Sequence, residues 1–208
     1  MIIAVDGPLA SGKGTISKAL AAHFKIPHLD TGTLYRATGL AQIDANIDPE
    51  NETAAGHLAR NLDISAIDHK RIRTAEAGAM ASRVAALPKV RAALFELQRE
   101  FAMQPGGAVL DGRDIGTVIC PDANVKLYVT ADASIRARRR WQELKAQGQD
   151  ITYEEMLAQT LERDDRDAGR KDAPMRPADD ANLIDTSSLS IDAAIAEAIH
   201  IVEKRKSA

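Results

Sequence analysis

The chain has 208 residues, of which 45% are hydrophobic and 27% are charged. Soluble globular domains average about 45–50% apolar and about 25% charged residues, so a disordered or collagen-like chain is excluded. Lys and Arg number 27 against 30 Asp and Glu, which leaves a net charge of −3, and aromatic residues make up only 3%. Such a chain has no overall attraction for nucleic acid and too few aromatic side chains for base stacking, so any anion site is local.

The lone cysteine, Cys120, permits no internal disulfide. No apolar run approaches the ~18 residues of a membrane-spanning helix, and the N-terminus lacks the basic region of a signal peptide. We therefore expect a cytoplasmic protein, a single domain over 1–208, that binds neither membranes nor nucleic acid.

Short apolar runs alternate with helical patterns along the chain. A β-branched strand, Ile2–Val5, is followed from Lys13 by helical spacing, with Ile16, Leu20 and Phe24 four residues apart. This alternation favours an α/β fold with a mostly parallel sheet and ligand-binding loops at the carboxyl ends of its strands. The other predicted elements are a strand over 26–29, a helix from 31 capped by Asp30, a surface insert over 44–68, helices over 74–87 and from Pro88, strands over 108–110 and 125–129, helices over 132–147 and from Thr152, a strand at 183–184, and a last helix capped by Ser190 with Ile191, Ile195, Ile199 and Val202 facing inward.

A glycine-rich loop joins the first strand to the first helix, the context that the phosphate-binding G-x-x-x-x-G-K motif requires. Its backbone N–H groups and the helix N-terminus suit a triphosphate, and Lys13 would reach the β- and γ-phosphates. Gly14 stands where Ser or Thr usually ligates Mg²⁺, so we expect phosphates and waters, rather than Thr15, to hold the ion. The predicted triphosphate-binding residues are Gly7, Pro8, Leu9, Ala10, Ser11, Gly12, Lys13, Gly14 and Thr15.

Two more loops follow the second and third predicted strands on the same edge of the sheet. They are LDTGTLYR at 29–36 and DGRDIGT at 111–117. Each offers an arginine, suited to bidentate phosphate binding, beside hydroxyl or carboxylate groups.

Two helix faces rich in arginine are harder to interpret. Composition alone favours solvated faces with salt bridges, whereas their position behind a phosphate loop favours contacts to a nucleotide and to a transferring phosphoryl group. The spacing places the members of each set on one side of a helix, provided that the helix of the first set continues to Arg170. The sets are Arg163, Asp167 and Arg170, within ERDDRDAGR, and Arg136, Arg139 and Arg140.

In this order and spacing, GPLASGKGT, LDTGTLYR, DGRDIGT and ERDDRDAGR resemble the bacterial cytidylate kinases of the nucleoside monophosphate kinase family. The resemblance runs from Ile2 to the last helix, interrupted around 48–72, and its most specific parts are DGRD and DRDxxR. It implies a three-layer P-loop fold with a monophosphate-binding insert at about 37–90 and a helical lid at about 136–170. It also implies that the γ-phosphoryl group of ATP passes, with Mg²⁺, to CMP or dCMP in pyrimidine metabolism.

The same resemblance implies roles for individual residues. Lys13 and the lid arginines Arg136, Arg139 and Arg140 would contact the transferring phosphoryl group. A carboxylate such as that of Asp114 can accept a hydrogen bond from the cytosine amino group. The implied CMP-binding residues are Arg36, Arg113 and Arg170 for the phosphate, with Thr31 close by; Arg163 and Asp167 for the sugar; and Ser82, Arg91 and Asp114 for the base, with Arg73 nearby.

Two departures from the family accompany this resemblance. Leu9 stands where the family more often has a small residue. The insert is also shorter than in longer members of the family, and this difference affects the expected architecture of the insert and the expected strength of the preference for dCMP.

Other functions compete with this one. A P-loop kinase for another small acceptor, such as UMP, AMP or shikimate, would share the phosphate loop. A nucleotide-dependent switch would also share it, but GTPase switches usually read guanine through an N-K-x-D segment that this sequence lacks. We expect a monomer.

Overall fold

The computed structural model describes residues 1–206, with every side chain among them except that of Ser65. The last two residues of the predicted span 1–208 lie outside this description. The chain forms two compact units. The first, called the sheet unit, comprises Met1–Leu29 and the chain from Phe101 onward, and the second, called the helical unit, comprises Asp30–Glu100.

A five-stranded parallel sheet confirms the predicted fold class, an α/β arrangement with helices flanking the sheet. Its spatial order is β2-β3-β1-β4-β5. Strands β1, β3 and β4 are almost wholly buried, as continuous apolar runs in parallel sheets require. The strands are β1 (Ile2–Asp6), β2 (His28–Asp30), β3 (Ala108–Gly112), β4 (Val125–Thr130) and β5 (Asn182–Asp185).

Helices follow every strand except β3, which a π-helical turn joins to β4. The helices are α1 (Lys13–Phe24), α2 (Thr31–Asp44), α3 (Glu52–Arg60), α4 (Ala75–Val84), α5 (Pro88–Ala102), α6 (Ala133–Ala146), α7 (Tyr153–Ala168) and α8 (Ile191–Lys206), with 3₁₀ turns at Ile64–Ala66 and Arg71–Arg73 and the π-helical turn at Ile115–Ile119. Two of the helices, α1 and α8, cover one face of the sheet and close the core there with Leu20, Ala198 and Val202.

One predicted detail is wrong. Ile191 is 68% exposed rather than inward-facing, because it is the first residue of α8, and alanines at 194 and 198 with Val202 form the buried stripe. The predicted surface insert over 44–68 contains α3, of which Ala55 and Ala59 are buried. Over residues 1–206, no helix combines the length and the apolar character needed to cross a membrane.

The pairing register places two of the singled-out loops side by side. Asp6, the last residue of β1, pairs with Gly112 on β3 and with Tyr128 on β4. Because all three strands are parallel, the glycine-rich loop after β1 and the DGRD loop after β3 leave the sheet at the same edge.

Candidate active site

The glycine-rich loop depends on glycine at two positions. Gly7 has φ +150°, and a Cβ there would lie 2.0 Å from the carbonyl oxygen of Val129. Gly12 precedes α1 in the left-handed region, with φ +93°, which glycine adopts without strain. Lys13 opens the helix, and its Nζ donates to the carbonyl oxygen of Pro8 at 3.1 Å. The loop therefore has the strand-to-helix geometry of a phosphate cradle, with its lysine lying across it.

Arg136 on α6 joins this loop to α7. Its Nε donates to the carbonyl oxygen of Ala131 at 2.7 Å, and one terminal nitrogen donates to that of Leu9 in the loop at 3.3 Å. Both terminal nitrogens donate to the carboxylate of Asp164 on α7, at 3.2 and 2.5 Å. Only 5% of the Arg136 side chain is exposed, so its charge is compensated by a planar, bidentate contact.

Arg139 and Arg140 point to different partners. Arg139 donates to Oγ1 of Thr186 at 3.0 Å and to its carbonyl oxygen at 2.8 Å. Arg140 pairs instead with Glu143 on its own helix, at 2.7 Å. Arg139 borders a cavity of about 220 Å³ beside the phosphate loop. The cavity is lined by Gly12, Thr15, Ile16, Arg139, Thr186, Leu189, Ser190, Ile191 and Ala194.

A second cluster of arginines surrounds Asp167 on α7. Arg113 Nε donates to one carboxylate oxygen at 2.9 Å, and Arg170 donates to the other. Arg163 Nε lies 3.8 Å from the first of these oxygens. Asp167 is 1% exposed and Arg170 is 5% exposed, so these residues form a buried ion cluster, and the solvated-face interpretation is wrong for them. Because α7 ends at Ala168, Arg170 lies beyond the helix rather than on its face.

Electrostatics hold the Asp167 carboxylate ionised. Burial raises its pKa, but the neighbouring charges of Arg113, Arg170 and Arg163 outweigh burial, and the net pKa is lowered. Three guanidinium groups against one carboxylate leave a formal charge of +2 on the cluster. Nε of Arg170 is buried and has no hydrogen-bond partner within the protein. The cluster is therefore positive.

Asp6 binds the start of the π-helical turn that follows the DGRD segment. The two carboxylate oxygens of Asp6 accept hydrogen bonds from the backbone N–H groups of Ile115 and Gly116, each at 2.8 Å. Burial raises the pKa of Asp6 to about 7 against the opposing effect of these two donors. Asp114, the implied base-reading residue, precedes them and is 5% exposed.

The remaining implied residues belong to the helical unit. Thr31 and Ser82 are buried, on α2 and α4. These two helices pack closely, since a Cβ on Gly39 would lie 2.8 Å from Cγ of Met80. The arginines differ in their surroundings. Arg36 lies 3.8 Å from the Asp30 carboxylate, Arg91 donates to the Tyr35 hydroxyl at 3.4 Å, and Arg73 is exposed in its 3₁₀ turn.

Comparison with known proteins decides the family. A family model described as cytidylate kinase matches residues 3–204. A cytidylate kinase of Xanthobacter autotrophicus is 55% identical over 206 residues, which cover 99% of each chain. Another, from Cereibacter sphaeroides, is 57% identical over 204 residues, covering 98% of this chain and 96% of its relative. The chain belongs to the cytidylate kinase family.

Solved structures agree at the level of the fold. A gluconokinase from Sinorhizobium meliloti is 14% identical, with a TM-score of 0.51, and the alignment covers 99% of this chain and 93% of that one. An uncharacterized protein from Eubacterium ventriosum, also 14% identical, gives 0.56 with 100% and 99% coverage. At such low identity these likenesses bear only on the α/β fold.

Sequence patterns did not single out three residues that contact the candidate site. Asp6, Asp164 and Thr186 contact Gly116, Arg136 and Arg139 respectively. Asp164 could have been found, because it lies in the charged stretch three residues before Asp167. Asp6 and Thr186 could not, because their partners are distant in sequence.

Magnesium has no prepared protein cage in the described part of the chain. Within residues 1–206, no group of three or more His, Cys, Asp or Glu side chains is placed to hold a metal. Thr15 is exposed, and Gly14 has no side chain that could ligate the ion. These residues fit Mg²⁺ carried by nucleotide phosphates and waters, since Mg²⁺ loses its waters reluctantly.

Proposed function

We propose that the protein transfers the γ-phosphoryl group of ATP to CMP or dCMP, giving ADP and CDP or dCDP, and that the buried cluster around Asp167 receives the acceptor phosphate. Its family makes the chain an ATP-dependent kinase. The observation that carries the acceptor assignment is the formal +2 charge of Arg113, Arg163 and Arg170 around a single carboxylate.

Charge matching supports an acceptor phosphate at this cluster. A phosphate monoester carries about −1.5 to −2 charges at pH 7, close to the excess of the cluster. Guanidinium groups donate in pairs to phosphate oxygens, and Asp167 holds Arg113 and Arg170 in fixed orientations before the ligand arrives. This arrangement lowers the entropy lost on binding, because the arginines are already ordered. Sugar contacts by Arg163 and Asp167 stay a prediction.

The glycine-rich loop would bind the phosphates of ATP. Residues 7–15 supply backbone N–H groups, the N-terminus of α1 supplies partial positive charge, and Lys13 would leave Pro8 for the β- and γ-phosphates. The adjoining cavity shares Gly12 and Thr15 with the loop, and Leu189 offers it an apolar wall. We assign this cavity to the adenosine part of ATP. Bound Mg²⁺ would neutralise charge developing on the β- and γ-oxygens, held by those phosphates and by waters.

Catalysis needs positioning and charge rather than a dedicated base. Arg136 is the lid arginine that already contacts the loop, through the carbonyl oxygen of Leu9. Movement of region 136–170 would bring guanidinium groups to the transferring phosphoryl group and exclude water as a competing acceptor. Arg139 would contact the phosphoryl group from the side of the cavity, and Arg140 would first have to break its ion pair with Glu143.

The remaining assignments rest on the resemblance. The base would be read by Asp114 with Ser82 and Arg91, and Thr31, Arg36 and Arg73 would assist on the helical unit. The insert at about 37–90 and the lid at about 136–170 stay predictions, as do a monomeric state and a cytoplasmic location.

Initial rates with a panel of acceptors test this function. ADP production is measured at fixed ATP and Mg²⁺ with CMP, dCMP, UMP and AMP, and we expect CMP and dCMP to give by far the largest kcat/KM. A Lys13→Ala variant, checked for folding by circular dichroism, should lose kcat several hundredfold, consistent with about 3–4 kcal/mol for an electrostatic contact made in the transition state. ATP turnover independent of CMP, or an equal preference for UMP or AMP, would contradict the proposal.

A further inference from the structure

Asp6 is a buried carboxylate that the proposed reaction does not use. It ends β1, immediately before the glycine-rich loop, and is 4% exposed. Its Oδ1 accepts from the N–H of Ile115 and its Oδ2 from the N–H of Gly116, both at 2.8 Å and across 109 and 110 residues of sequence. Both oxygens thus bind consecutive amides of one turn.

A carboxylate in this place is energetically demanding. Burial disfavours its charged form, whereas the two backbone donors favour it, and the balance leaves the pKa of Asp6 near neutrality. The donors are the first two N–H groups of the π-helical turn Ile115–Ile119, and such groups at the start of a helical turn need a partner from outside it. Asp6 satisfies both at once.

The turn that Asp6 holds directly follows the residues assigned to the acceptor. Arg113 and Asp114 come just before Ile115, and Arg113 in turn reaches Asp167. A shift of the amides at 115 and 116 would therefore move Arg113 and Asp114 together. The glycine-rich loop has other supports, since Thr186 donates to the carbonyl oxygen of Ser11 and Arg136 to that of Leu9.

We propose that Asp6 is a positioning residue for the acceptor nucleotide, which clamps the turn at 115–116 to the end of β1 and so fixes Arg113 and Asp114 for CMP. The inference rests on the proposed function of those two residues. It predicts that loss of the clamp weakens the acceptor selectively, because the loop must then be ordered by CMP itself.

Asp6→Asn tests the clamp with little change in volume. The amide retains one acceptor and turns a donor toward the second N–H, so we expect the KM for CMP to rise about tenfold or more, as loss of a charge-assisted hydrogen bond implies. The KM for ATP should stay within about twofold. Glu203→Gln is the control, because it removes another carboxylate, one that pairs with His23 at 3.1 Å and lies on α8, away from the turn. The control should leave the KM for CMP within about twofold.

A pH profile separates positioning from mere structural support. The groups facing Asp6 are Arg113 and Asp114 from the loop after β3 and Tyr128 from β4, and the stem of Lys126 packs on Gly116. As pH falls from about 8 to about 6, protonation of wild-type Asp6 should raise the KM for CMP and leave that for ATP unchanged. CMP itself titrates near pH 6, so the decisive quantity is the difference between wild type and Asp6→Asn, which should show only the substrate's own titration.

Gly116→Ala provides a second route if Asp6→Asn does not fold. A Cβ there would meet Cδ of Lys126 at 3.2 Å, a tight approach, whereas Oδ2 of Asp6 at 3.4 Å would be an ordinary contact. The substitution therefore disturbs the packing of the turn against β4. It should reproduce the selective rise in KM for CMP. The clamp is overturned if CMP and ATP constants rise together, if neither changes, or if Asp6→Asn keeps the wild-type pH profile. Failure of the wild type to phosphorylate CMP would instead overturn the proposed function.

Discussion

The Asp167 carboxylate is the residue on which the acceptor cluster depends. Asp167→Asn would leave Arg113, Arg163 and Arg170 close together without their counter-ion, and removing one partner of a buried pair typically costs about 3–5 kcal/mol. We expect the free energy of unfolding at neutral pH to fall by that amount, as measured in urea. The KM for CMP should change with it, because the arginines lose their fixed orientations.

The lowered pKa of Asp167 also predicts how its contribution to stability changes with pH. The native pKa of Asp167 is below its unfolded value of about 3.9, so its stabilisation is complete above that pH and is lost as pH falls through the lower native pKa. The difference in unfolding free energy between wild type and Asp167→Asn should be constant above about pH 5 and shrink below about pH 4. A difference independent of pH down to about pH 2 would contradict the ionised cluster.

The strand-loop-helix element around Gly7 depends on the absence of a side chain. In Gly7→Ala the new Cβ would meet the Val129 carbonyl oxygen, and the residue would hold φ +150°. We expect a loss of unfolding free energy of at least about 1–3 kcal/mol, because the ends of β1 and β4 must separate or the loop must rearrange.

Gly14→Ala is the control within the same element. It lies in the first turn of α1 with open space around its Cα, and alanine is the better helix former by about 0.5–1 kcal/mol. Unfolding in urea should show Gly14→Ala at least as stable as wild type. Equal stability of the two variants would mean that the close approach at Gly7 does not hold the loop.

At the scale of the whole molecule, sequence prediction succeeded where the signal was local. The apolar run at Ile2–Val5, the helical spacing after Lys13 and the helix predicted from Thr152 all gave elements that the structure confirms. It failed where burial depends on distant partners. Ile191 has the right chemistry for the core, but its place at the start of α8 leaves it exposed.

The candidate site divides in the same way. The glycine-rich loop could be predicted because all its determinants are within nine residues, and the approach of Arg163 to Asp167 because helical spacing joins them. Arg170 lies beyond the end of α7 at Ala168, so helical spacing does not account for its place in the cluster. The pairing of Arg113 with Asp167 spans 54 residues, and only the folded chain reveals it. Burial turns that pairing from a surface salt bridge into a charged cluster, which composition alone does not predict.

The central claim is that the arginines around Asp167 bind the phosphate of CMP. A crystal structure of the protein with CMP bound measures it most directly, through the distances from the guanidinium nitrogens of Arg113 and Arg170 to the phosphate oxygens. We predict distances of about 2.7–2.9 Å, those of charge-assisted hydrogen bonds. A CMP phosphate bound elsewhere, with both arginines still turned only toward Asp167, would contradict the account.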